Sequence, residues 1–168
     1  YAYATSSGIT VGFKMESPYN QIIVYKDQIY YEFFFDGVGL VVGNPGSGGK
    51  STAYRFPGVA VARNESLVSA NLEITHVFSG PTDGDTKYKI WGIDEDNVGD
   101  VDLGKAKTDA FDARNQSKVG GWWNFGTDVL DQVNEIIARG GWNSGNNMGF
   151  ILNDDASDSG KYIGADND

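Results

Sequence analysis

The stretch Gly126–Leu152, GTDVLDQVNEIIARGGWNSGNNMGFIL, carries the strongest structural signals of the chain. Thr127 is placed to supply an N-cap oxygen, and the glycine pair after Arg139 provides a stop through the left-handed conformation that glycine adopts without steric cost. The sequence therefore predicts one short α-helix over about 127–139, followed by a polar turn and an apolar strand at 148–152. The apolar residues that recur with the 3.6-residue period of this helix are Val129, Leu130, Val133, Ile136 and Ile137.

The rest of the chain consists of short apolar runs separated by turn residues, a pattern typical of all-β proteins. One run, 29–35 (IYYEFFF), is apolar on both faces, so we expect it at the centre of a sandwich or against another chain. By contrast, 104–125 carries few signals and is predicted to be a long connection. The predicted strands are 9–13, 21–25, 29–35, 37–42, 59–62, 69–78, 87–93, 148–152 and 161–163.

At 168 residues the chain is most economically one domain, 1–168. The strand pattern predicts an all-β fold, a jelly-roll-type antiparallel β-sandwich with the one short α-helix. The formal net charge of −10 repels phosphate backbones, so no nucleic acid is expected as a partner. There is no run of 18 apolar residues, so no membrane insertion is expected. A chain that begins at Tyr1 without methionine suggests a processed chain or an excised piece.

One pattern, V-x-E-I-I-x-R-x-G-W-x-S-G-N, runs from the helix through the turn after it. It resembles the C-terminal half of the DNRLRE-type β-sandwich domains. Those are non-catalytic jelly-roll modules, related to carbohydrate-binding modules, in secreted, cell-surface and some phage proteins. The resemblance extends upstream to Tyr54-Arg55-Phe56 and to 67–74, and covers roughly 38–163. The residues that carry it are Val133, Glu135, Ile136, Ile137, Arg139, Gly141, Trp142, Ser144, Gly145 and Asn146.

Both ends of the chain depart from that family. Residues 1–36 are extra N-terminal strands without a counterpart, and the closing strand expected after Ile163 is missing. Either the chain was cut there or another segment supplies the strand, because natural proteins cover open sheet edges. We therefore expect residues 9–35 to pair at this edge or to lie against a neighbouring subunit in a larger assembly.

Three tryptophans are candidates for binding carbohydrate. Trp122 and Trp123 are neighbours in an extended segment and must point to opposite faces, so one of them can be exposed. Trp91 lies on the polar face of the strand 87–93, with Lys87 and Lys89. Exposed ring faces stack on the C–H patches of sugars; the alternative is that Trp122 and Trp123 both pack inside the protein.

The densest acidic run, 94–102, is the candidate metal site. Asp94, Asp96, Asp100 and Asp102 could supply carboxylate ligands to Ca²⁺, a hard cation that prefers oxygen. An EF-hand register fails, however, because Val98 and Lys105 occupy positions that need oxygen ligands. The alternative is a solvated acidic loop, and no other cofactor is predicted.

Enzymatic signals are few. The chain has no cysteine and no nucleophile elbow, and its single histidine, His76, lies on an apolar strand face where packing is the usual role. Glu73 and Glu135 could be proposed as a glycosidase pair, but nothing in the sequence places them across a cleft. Asn64 and Asn115 each begin a possible N-glycosylation sequon.

From these signals we expect a non-catalytic module that binds carbohydrate or acts as a structural or adhesive spacer. Its partners would be carbohydrate or neighbouring protein subunits, and its location extracellular, at a cell surface or at a virion surface. The alternative is a virion structural protein that decorates a capsid or tail, and a glycoside-active enzyme comes third.

Overall fold

The computed structural model describes residues 2–6, 9–13, 24–25, 28–29, 41–44, 49, 51–76, 78–79, 85–116 and 123–164. Within them the chain forms thirteen strands and one helix, and all strand pairs are antiparallel. This confirms the prediction of an all-β fold with one short helix. The elements are β1 (Ala2–Ser6), β2 (Ile9–Phe13), β3 (Val24–Tyr25), β4 (Gln28–Ile29), β5 (Val41–Asn44), β6 (Thr52–Phe56), β7 (Ser69–His76), β8 (Phe78–Ser79), β9 (Thr86–Ile93), β10 (Lys107–Gln116), β11 (Trp123–Asp128), α1 (Leu130–Ala138), β12 (Met148–Asp154) and β13 (Lys161–Gly164).

Two four-stranded sheets form the body of the fold. Sheet 1 has the order β10-β9-β12-β6, and sheet 2 has the order β11-β7-β1-β2. A three-stranded sheet 3 has the order β5-β13-β8, and β3 pairs with β4 as a small hairpin.

The main hydrophobic core lies between sheet 1, sheet 2 and the helix. Sheet 1 contributes residues such as Tyr88 and Phe150, sheet 2 contributes Leu72, and α1 contributes Val133 and Ile136, all of them buried in one cluster. Burial alternates along most of β9, as expected for a strand with one face toward a core. The two sheets therefore pack as a sandwich around shared apolar side chains.

A second, smaller core lies on the outer face of sheet 1. The first five residues of β12 are all buried, because the segment 94–106 covers the outer face as well. Ile151 packs there against the loop residues Val98 and Val101, and Leu103 lies beside them. The Val98 N–H donates to the carbonyl of Asn147 at 3.0 Å, and the Asn147 side-chain amide donates to the carbonyl of Val98 at 2.9 Å. These two bonds fix the segment to the start of β12. The full set of buried residues in this core is Ala53, Ile93, Val98, Val101 and Ile151.

The helix is shorter than predicted at its N-terminal end. Thr127 is not the N-cap; it belongs to β11 and pairs with Leu72 of β7. Instead the Asp128 carboxylate accepts the N–H of Leu130 at 2.9 Å. The strand β11 extends to the helix because its ladder with β7 continues to Asp128, and these tertiary bonds override the local cap signal.

The helix also ends differently from the prediction. Arg139 caps it in an extended conformation, with φ −61° and ψ 144°. Neither Gly140 nor Gly141 adopts the positive φ expected of a left-handed glycine cap.

The prediction of a long connection over 104–125 is wrong, because this region contains the ten-residue strand β10. Its alanine, aspartate and asparagine residues have low strand propensity, which hid it. Pairing with β9 stabilises it, and so does an ion pair between Asp112 and Arg114. These two residues lie opposite the core residues Ile90 and Tyr88, so the inner face of this strand is partly polar.

The N-terminal strand predicted at 9–13 is confirmed as β2, and a hairpin is present at 24–29. Residues 14–23 and 30–40, which include most of the apolar run 29–35, lie outside the described residues. The strand β1 pairs with β7, so the N-terminal residues extend sheet 2 within the same chain. The edge expected to be open beside Ile163 is filled, since β13 pairs with β5 on one side and with β8 on the other.

Within the residues that the structure describes, no helix is long and apolar enough to cross a membrane.

Candidate functional site

Glu135, a half-buried residue of α1, ties the helix to β10. Its two carboxylate oxygens accept the backbone N–H groups of Asp109 at 2.7 Å and Ala110 at 3.0 Å. The ladder between β10 and β9 shifts register over Lys107–Phe111, so these N–H groups lie within an irregularity of the strand. The carboxylate considered for a glycosidase pair is thus bonded to the backbone, and the side chain of Glu73 lies outside the described residues.

Arg139 ties the end of the helix to the acidic segment. Its Nε donates to Asp96 Oδ1 at 2.7 Å, and its Nη1 donates to Asp94. These hydrogen bonds, first that with Asp96 and then that with Asp94, raise the pKa of the Arg139 guanidinium. A Cβ on Gly141 would collide with the Asp96 carboxylate, so a larger residue here would displace the carboxylate that Arg139 binds.

Polar atoms of the turn after the helix also form hydrogen bonds with other parts of the protein. Trp142 is buried, and its Nε1 donates to the carbonyl of Val61 at 2.9 Å. Gly145 has a φ of 98°, which favours glycine, and its N–H donates to the carbonyl of Val59 at 2.9 Å. Asn146 donates its side-chain amide to the carbonyl of Asp96 at 2.8 Å. Trp142, Gly145 and Asn146 of the motif therefore hold this turn in place.

Three of the four predicted calcium ligands have other partners, and the fourth, Asp100, is exposed. Asp94 and Asp96 bind Arg139, and Asp102 accepts the N–H of Gly104 at 2.6 Å. In the part of the chain that the structure describes, no group of three or more acidic, histidine or cysteine side chains could hold a metal ion. The arrangement gives no support to a calcium site, and Arg139 supplies the countercharge that a cation would have supplied.

Of the three candidate tryptophans, Trp91 can be placed. Trp122 lies outside the described residues, and of Trp123 only the backbone, at the start of β11, is described. Trp91 is partly buried on the outer face of sheet 1, directly opposite Phe111 of β10. The two rings have centroids 5.6 Å apart and are tilted by 34°. We call this pair, Trp91 and Phe111, the aromatic platform.

Phe111 gives the platform its accessibility. It is 52% exposed, and among the described residues the only other exposed large hydrophobic residue is Val68. The platform borders the second core, because Ile151, which is buried there, lies opposite Trp91 on the other side of β9. The segment 94–106 thus covers one part of the outer face and leaves the aromatic pair beside it.

Two lysines flank the aromatic platform. Lys107 Nζ lies 5.7 Å from the centroid of the Trp91 ring, and Lys89 Nζ lies 5.9 Å from that of Phe111. Lys89 also forms an ion pair with Asp155 at 2.9 Å. A surface with paired rings and adjacent ammonium groups can stack on an apolar face and donate hydrogen bonds to oxygen atoms.

Phe111, Lys89 and Lys107 were not among the predicted site residues. The alternation of Lys87, Lys89 and Trp91 indicates a shared face, and this signal could have added Lys89 to the site. Phe111 could not be found this way, because its strand has no apolar alternation.

The two sequon asparagines are both exposed. Asn64 lies in a turn with a φ of 58°, whereas Asn115 lies on β10 and donates to Asp85 Oδ2 at 2.9 Å. Glycosylation at either position stays a prediction. The side chain of His76 lies outside the described residues.

Comparisons of the chain with models of protein families, with curated proteins and with solved structures found no match. The resemblance to the DNRLRE-type modules therefore stays a prediction.

Proposed function

We propose that this chain is a non-catalytic module, extracellular or at a cell or virion surface, that binds carbohydrate through the aromatic platform. The observation that carries the proposal is the exposure of Phe111 in contact with Trp91. Sugar-binding surfaces use such rings because the apolar C–H face of a pyranose can stack on them. Both residues lie on paired strands, which hold the rings more rigidly than loops would.

The sequence motif supports the same class of function. Its resemblance to non-catalytic sandwich modules implies carbohydrate binding or a spacer role. Within the motif, Glu135 and Arg139 form hydrogen bonds with other parts of the protein. We therefore place ligand binding on the outer face of sheet 1, not at the motif.

A glycan array followed by titration calorimetry tests the proposal. Wild-type protein is expected to bind specific glycans, and Phe111→Ala is expected to weaken binding about tenfold or more, as truncation of an aromatic anchor does. Trp91→Ala should have the same effect. Val68→Ala is the matched control, because Val68 is a 73% exposed hydrophobic residue outside the platform.

Thermal unfolding of each variant separates lost contacts from lost folding, since Trp91 is partly buried. Binding by Phe111→Ala at wild-type affinity would remove the platform from the proposal. Absence of binding to every glycan would favour the alternative of a virion structural protein.

A further inference from the structure

The aromatic platform is flanked by positive charge in a chain that is strongly acidic. The chain has 13 lysine and arginine residues against 23 aspartate and glutamate residues. On the outer face of sheet 1, however, Lys87 and Lys89 of β9 share the face of Trp91, and Lys107 lies over the ring of Trp91. Lysine is therefore concentrated where the proposed ligand would bind.

The three lysines differ in their partners. Lys89 pairs with Asp155 at 2.9 Å, and Lys87 lies 4.0 Å from Asp158. Lys107 donates a long hydrogen bond of 3.4 Å to the carbonyl of Leu103. Among the described residues, no carboxylate forms an ion pair with Lys107. An ammonium group has three donors, so Lys107 keeps the capacity to bind an anion.

The net charge of the molecule does not cancel this local effect. At physiological ionic strength, the Debye length is about 8 Å, so distant exposed carboxylates are largely screened. The ammonium groups beside the rings are those of Lys89 and Lys107, and of the two only Lys89 pairs with a carboxylate among the described residues. A cation over a tryptophan ring can also be a purely internal contact, which contributes little at an exposed site. Here each of the two rings has a lysine ammonium group beside it, and Phe111 is exposed, so the lysines can also reach a ligand on the platform.

We infer that the ligand of the aromatic platform is a carboxylated sugar, whose apolar face contacts Phe111 and whose carboxylate binds Lys107. This inference rests on the proposed function and names the class of glycan. A uronic acid within a chain and a terminal sialic acid share the required chemistry, an anionic group on the edge of a pyranose ring. Charge-assisted hydrogen bonds from an ammonium group are stronger than those between neutral groups.

Two matched pairs of probes test the inference. Oligogalacturonate is compared with its methyl ester, and sialyllactose with lactose, so each pair differs in the presence of a free carboxylate. We expect wild-type protein to bind the carboxylated member of at least one pair about tenfold more tightly. The pair that shows the preference distinguishes a uronic acid from a sialic acid.

Lys107→Met keeps an apolar stem over Trp91 and removes the charge, so it should abolish the preference for the carboxylated probe. Lys105→Met is the control, because Lys105 carries the same charge nearby but pairs with Glu95 at 2.8 Å. It should keep the preference. Thermal unfolding verifies that both variants are folded.

The outcomes separate the two proposals. If no glycan binds at all, the proposed function fails and the inference fails with it. If neutral and carboxylated probes bind equally to the wild type, or if Lys107→Met retains the full preference, the carbohydrate site stands and the acidic ligand is wrong.

Discussion

Tyr54 shows how one buried side chain makes the fold sensitive to alkali. It lies in β6 and is fully buried, and this burial raises its pKa from 10.0 to about 12, while a side-chain hydrogen bond with Thr52 lowers it in part. A folded pKa above the unfolded value means that the folded state favours the protonated phenol. The stabilisation is therefore fully present below pH 10.0 and is lost as the pH rises toward about 12.

We predict that Tyr54→Phe removes this part of the alkaline unfolding. The difference in pKa corresponds to roughly 3 kcal/mol at high pH, since one pKa unit is about 1.4 kcal/mol. Urea unfolding of wild type and variant across this pH range measures the effect. The wild type should lose stability relative to the variant as the pH rises, because only the wild type has a buried phenol to ionise. Parallel curves would show that another group controls the alkaline transition.

Single residues also show what sequence could not reveal. The apolar period correctly predicted that Val133 and Ile136 of α1 face the core, but it missed Gln132, which is buried and donates to the carbonyl of Ile90. It could not predict the partners of Arg139 or the contact of Gly141 with Asp96, because these join segments more than 40 positions apart. Local patterns report which face is buried, but they carry no information about which distant backbone lies beside it.

At the level of elements, the strand β10 depends on contacts from outside itself. Glu135 accepts two of its N–H groups just before Phe111, at the irregularity in its ladder. The register of Phe111 with Trp91 therefore depends on the helix as well as on β9. This explains why β10 escaped prediction, whereas β9, with its alternating pattern, was predicted nearly to its ends.

We predict that Glu135→Ala destabilises the protein by about 1–2 kcal/mol, because two backbone donors lose a charged acceptor at a site that water can partly reach. Amide hydrogen exchange should show faster exchange at Asp109 and Ala110. Asp131→Ala is the matched control, since Asp131 is an exposed carboxylate of the same helix. Unchanged protection of both amides in Glu135→Ala would mean that β9 alone holds this part of β10.

At the level of the whole molecule, sheet 1 packs against other parts of the protein on both of its faces. The inner face packs on the main core, while the outer face is divided between the second core and the aromatic platform. The segment 94–106 is fixed at two points: Asp96 binds Arg139, and the Val98 N–H donates to the carbonyl of Asn147. The acidic segment is thus part of the packed structure, and it defines the border of the proposed binding surface.

The N-terminal strands complete sheet 2, which leads to the last prediction. The strand β7 lies between β11 and β1, and β1 pairs with it from Thr5 opposite Ser69 to Ala2 opposite Leu72. Deleting residues 1–13 would expose the N–H and C=O groups along this side of β7. An unprotected strand edge is a template for pairing with another chain. We expect the truncated protein to self-associate more than the full chain.

Sedimentation velocity over a range of protein concentrations measures this association. Asn71→Lys in the truncated protein is the matched control, because Asn71 lies on the exposed edge and a lysine there should oppose edge-to-edge pairing. The same substitution in the full chain shows its effect on stability alone. If the truncated protein sediments as the full chain does and keeps its thermal stability, then β1 contributes little to sheet 2, and the N-terminal region would be available for contacts with a neighbouring subunit.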